Sequence, residues 1–137
     1  MEVPALPAPE RELSVFHELR EIEPIRIWDG VVARAVHGGE ATLTTIELAP
    51  NAVVPEHAHL NEQTGILVSG SLTFTIAGET KELRPGAAWV IPPHAPHSVA
   101  VGADGATIVE LFAPARDDWG DRERLEASSS AALLGLG

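Results

Sequence analysis

Apolar and polar positions alternate along most of this chain, and Gly, Pro, Asn or Asp interrupts the alternation every few residues. In residues 71–77, Leu72, Phe74 and Ile76 alternate with Thr73 and Thr75, the period of a strand with one buried face. The same reading predicts strands over 25–28 and 31–36, joined by a turn at Asp29-Gly30, and over 42–48 and 53–59. Further strands are expected over 63–69, 71–77, 80–83 and 87–91. The last two, 97–101 and 107–112, are expected to pair around Gly102–Gly105. Helical spacing is scarce: Val15, Phe16, Leu19 and Ile22 approximate a helical stripe, so residues 13–23 read as a short helix or an edge strand. A short helix over 122–127 is the other candidate. The pattern is that of an all-β sandwich or barrel.

At 137 residues, one domain is expected, with an arm at 1–12, a barrel over 13–120 and a tail over 121–137. The arm carries three prolines and little periodicity, and reads as flexible. A net charge of −11 repels a phosphate backbone, which argues against nucleic acid as a partner. The chain has no cysteine, so neither disulfides nor a thiolate site are available. No apolar run reaches the roughly 20 residues of a membrane span, and the acidic start lacks a signal-peptide pattern; a cytoplasmic protein is expected.

Candidate chemistry changes this picture. His57 and His59 stand two apart on an expected strand, where period two sends both side chains to one face. Gln63 follows, and His97 comes later, after Pro92-Pro93 and Pro96. Three imidazoles and an amide oxygen suit one divalent first-row metal in a barrel mouth. Glu62 competes with Gln63 as ligand, although alternation puts it on the opposite face. His17 and His37 lie outside this spacing and read as exposed. In the last strand, Ile108, Glu110 and Phe112 share a face; a carboxylate facing the interior there needs a partner or a purpose. Arg116, past Pro114, is placed to swing back over the mouth. Trp28, Trp89 and Trp119 read as apolar anchors.

The run Pro55-x-His57-x-His59-x3-Gln63-x6-Gly70 resembles the first motif of the cupins, and Gly86-x5-Pro92-x-His94-x2-His97 resembles the second. The resemblance spans about residues 49–101. It implies a double-stranded β-helix, or jelly-roll barrel, with His57, His59, Gln63 and His97 holding one divalent transition metal (Mn, Fe, Ni, Zn or Cu). Departures from the pattern are Asn51 for the first Gly, Gln63 for Glu, His94 for the second-motif Gly, and Val101 for the closing Asn. His94 is expected beside the mouth, near substrate, and not on the metal.

Glu110-x-Phe112-x3-Arg116 resembles the D-x-F-x3-R segment of the uronate-ketonizing cupins, with Glu for Asp. That resemblance implies an enzyme acting on 4,5-unsaturated monouronates. In it Glu110 moves a proton, Arg116 pairs with the substrate carboxylate, and Phe112 walls the pocket. Two other readings stay open, an iron-dependent dioxygenase and a non-catalytic metal- or sugar-binding module. Small cupins commonly pair, so a homodimer is expected.

Overall fold

The computed structural model describes residues 15–127. Strands β1 (Ile25–Trp28), β2 (Val31–His37), β3 (Thr42–Leu48), β4 (Val53–His57), β5 (Glu62–Ile76), β6 (Glu79–Leu83), β7 (Ala88–Ile91) and β8 (His97–Ala113) follow in order. All pairings are antiparallel. The alternation read from sequence shows directly in β3, where Thr42, Thr44, Ile46 and Leu48 are buried and Leu43 is exposed. The hairpin between β5 and β6 turns on Ala77 and Gly78, both at positive φ, as a two-residue turn of the right twist requires.

The two long strands make the barrel. The first limb of β5, from Glu62 to Leu67, pairs with β7 and with the second limb of β8. Its second limb, Leu72 to Ile76, pairs with β6 and with the first limb of β8. One sheet therefore runs β1-β2-β3-β8-β5-β7 and the other β4-β8-β5-β6, with β5 and β8 crossing between them. Side chains from both inner faces, among them Ile46, Leu67, Phe74, Trp89, Ile91, Val99, Ile108 and Phe112, fill the core.

Three expectations needed correction. The segments 63–69 and 71–77 are one strand, and 97–101 and 107–112 do not pair with each other but run on as one. The glycines there serve close approach, not reversal. A Cβ on Gly70 would lie 1.9 Å from the Gly105 carbonyl oxygen, and one on Gly102 would lie 2.1 Å from Ser71 Oγ. No helix forms over 122–126. That segment runs beside β1, with Arg26 N donating to Glu123 O at 2.9 Å and Leu125 N to Pro24 O at 2.8 Å. It thereby covers an otherwise open strand edge. Of residues 13–23, only Leu19–Glu21 forms a 3-10 turn among the described residues. The arm at 1–12 and the tail beyond Ala127 lie outside them.

Bending has a consequence for position. Gln63 and Ile76 stand at opposite ends of β5 and pair with Phe112 and His97, the opposite limbs of β8. Both ends of each long strand therefore meet at one mouth of the barrel, and the glycine crossing closes the other.

Candidate metal centre

At that mouth, His57 ends β4 and His97 opens β8 as its cross-strand partner. Their ring centroids are 4.2 Å apart. His59 lies just past the end of β4, with its ring 4.9 Å from that of His97. One ligand atom from each of the three lies within 4.8 Å of the others.

The backbone sets the ring protons. Nδ1 of His57 donates to Pro55 O at 2.9 Å, that of His59 to Asn61 O at 3.0 Å, and that of His97 to Ala95 O at 2.8 Å. Each Nε2 then carries the lone pair. Burial holds His59 below the usual imidazole range and takes His97 down to about 4, so both stay neutral. His97 Nε2 is buried with no hydrogen-bond partner, an uncompensated acceptor that only a donor or a cation would satisfy. Three oriented imidazoles, one of them with an orphaned lone pair, fit a divalent transition metal.

Gln63 is buried, whereas Glu62 is exposed, as alternation predicts. Gln63 Oε1 lies 2.9 Å from His59 Nε2. With the His59 proton on Nδ1, these are two acceptors face to face, which repel unless a cation lies between them.

Among the described residues, Glu110 is the one acidic side chain that is buried. Its Oε2 accepts from Gln63 Nε2 in a short bond and from Trp89 Nε1 at 2.8 Å. Burial pushes its carboxyl up to about 7, against the opposing pull of those two donors and of Arg116. Its backbone oxygen accepts from Thr44 Oγ1 at 2.9 Å.

Phe112 and Arg116 line the same pocket as His57, His59, Gln63 and Glu110. The Arg116 guanidinium packs over the rings of Phe112 and Trp119, at 4.9 and 4.5 Å. Both arms of its fork are engaged by Asp118, at 2.8 Å each. Arg116 N donates to Thr42 Oγ1. His94 is not among the residues lining the pocket. It is exposed at φ 65, and its backbone N–H donates to His59 O at 2.7 Å, tying the two motif loops together. Its backbone thus abuts His59, while its ring is exposed.

Sequence reasoning did not single out Asn61 or Arg122. Asn61 is buried, accepts from His59 through its carbonyl and donates through Nδ2 to Pro114 O at 2.6 Å. Arg122 lines the pocket rim. Nor was a polar role given to Trp89. The readable signal was Gly65, an isolated glycine inside a strand pattern, which marks a close approach by a neighbour. The neighbour is the Trp89 indole.

Residues 44–112 match the Cupin domain family, and the chain belongs to it. Among curated proteins, it is 24% identical over 93 residues to the pectin degradation protein KdgF of Dickeya dadantii (strain 3937), spanning 66% of this chain and 84% of that one. Among solved structures, KdgF from Halomonas sp. superposes with a TM-score of 0.70 at 26% identity, over 77% of this chain and 98% of the other. An RmlC-like cupin from Shewanella frigidimarina NCIMB 400 gives 0.72 at 25%, over 77% and 96%. Among the described residues, no helix is long and apolar enough to cross a membrane.

Proposed function

We propose that this cupin is a metal-dependent enzyme acting on a small, carboxylated, sugar-acid-like substrate, and that its reaction is the ketonization of 4,5-unsaturated monouronates. One observation carries the reading: imidazoles of a converging histidine cluster, a buried carboxylate and an arginine share a single pocket. The similarity to a protein named for pectin degradation, and to the solved structure of a second KdgF, supports the substrate class. His57, His59 and His97 would hold one divalent metal (Mn, Fe, Ni, Zn or Cu), with Gln63 Oε1 as fourth donor. When bound, that ion supplies Lewis acidity toward substrate oxygens.

The remaining chemistry belongs to the chain. Ketonization moves a proton between an enol-type hydroxyl and carbon. A carboxyl group pushed up to about 7 is suited to take and to return that proton near neutrality, the role given to Glu110. Arg116 pairs with the substrate carboxylate, with which Asp118 competes for the guanidinium. Phe112 forms an apolar wall beside His59, at 5.8 Å between centroids. His94 makes no substrate contact in this reading.

The test is direct. Protein purified without added metal is assayed for bound metal, then incubated with unsaturated monouronates while the alkene absorbance is followed. Metal-dependent decay, abolished by chelation, is expected. Oxygen uptake with Fe(II) and no decay would transfer the case to a dioxygenase. Inactivity in both assays would leave a binding module.

A further inference from the structure

Gly65 pairs in register with Trp89 of β7 on one side and with Glu110 of β8 on the other. A Cβ at position 65 would lie 2.7 Å from Cε2, Cζ2 and Nε1 of the indole. The indole therefore lies across the bare glycine, reaching over a full strand to a partner two strands away. Its far side packs against Phe74, at 5.0 Å between centroids. Trp89 is buried, and the N–H it carries into the interior goes to Glu110 Oε2 at 2.8 Å.

We propose that Trp89 is a positioning residue for the metal centre. Its N–H, admitted by Gly65, fixes Glu110, and Glu110 fixes the Gln63 amide with its oxygen toward the histidines. This rests on the reading of Gln63 as a donor to the metal. An amide is the one ligand type here that offers an acceptor and a donor at nearly equal positions, so a flip would aim an N–H2 at the cation. The same Oε2 takes both the indole proton and the Gln63 N–H. An oxygen already accepting from the indole selects the nitrogen end of the amide, which leaves Oε1 facing His59 Nε2. Outer partners of this kind orient a ligand, and their loss weakens metal binding about 10- to 100-fold.

The test uses the full chain loaded with Co(II), without substrate, reading the visible bands and the cobalt dissociation constant. In E110L the amide loses its anchor: cobalt affinity is expected to fall about 10- to 100-fold, with altered bands. W89F keeps the ring and removes the N–H, and should shift the bands in the same direction by less. G65A displaces the indole and should reproduce the W89F bands. E110Q keeps an oxygen able to accept both N–H groups and should stay within about threefold of wild type. A merely structural role would lower melting temperatures and leave the cobalt bands alone. Wild-type bands and affinity in both W89F and G65A overturn the proposal, even if E110L does not fold. So does a wild-type protein that takes up no cobalt. Because no substrate is present, failure to turn over uronates overturns the ketonization reading alone.

Discussion

The two ends of this barrel differ in a way that separates room from chemistry. At the glycine crossing lies a cleft of about 380 Å³, whose lining includes Leu48, Pro50, Gly70 and Gly105, with Glu47 and Asp104 as its ionisable side chains among the described residues. At the histidine mouth the cavity is about 80 Å³, yet it is lined by His57, His59, Gln63, Glu110 and Arg116. The larger space is lined mostly by glycine and apolar side chains. The smaller one is built from inward-aimed side chains whose protons are pinned by backbone carbonyls. Stability is distributed in the opposite sense. The crossing holds the sheets together, while the mouth carries a buried carboxylate and an unsatisfied imidazole nitrogen, both of which cost folding free energy.

The largest effect expected from this contrast is at the crossing. Gly70 sits at φ +84, and a Cβ there meets only backbone: Gly105 O at 1.9 Å and Ala106 Cα at 2.7 Å. No rotamer change relieves it. G70A should lose about 4 kcal/mol or more in urea unfolding of chelator-treated protein. Unfolding at the wild-type midpoint would show that the crossing does not hold the sheets.

H57A should do the reverse. The His57 ring is half-buried and packs on Trp28 at 5.3 Å, so chelator-treated H57A should unfold within about 1 kcal/mol of wild type. Metal affinity, read by competition with a coloured chelator, should fall about 100-fold or more. Tight metal binding by H57A would break the assignment of the mouth as the metal end.

How much of this was legible in sequence follows the same division. The short strands β1, β2 and β3 could be read because period-two alternation survives in short strands with one wet face. The long strands β5 and β8 could not, because Gly70, Gly102 and Gly105 look alike whether they reverse a chain or let two chains cross. The metal-ligand candidates were readable from residue type and spacing, and the three histidines do converge. The side-chain shell around them was not. Trp89 looks like an anchor until its N–H is seen reaching Glu110 across Gly65, a relation among three strands. His94 occupies the expected loop, where it takes a left-handed φ and an exposed ring.

The smallest expected effect sharpens what the mouth does with its arginine. Hydrogen bonds from Arg116 hold the Asp118 carboxyl below the usual carboxylate range. A depressed folded-state value stabilises the fold above the ordinary carboxylate pKa of about 3.9, and the contribution is lost as pH falls through the depressed value. Asp118 is 54% exposed, so solvent screening keeps the pair below about 1 kcal/mol. D118N should therefore unfold slightly more easily than wild type at pH 7, with the difference vanishing in acid. Its ligand binding should move the other way. Removing the competing carboxylate frees the fork of Arg116, and galacturonate, used as a non-reacting probe by calorimetry, should bind a few-fold tighter, a gain of about 0.5–1 kcal/mol. A galacturonate affinity indifferent to D118N would mean that Arg116 serves the packing between Phe112 and Trp119 and not the ligand.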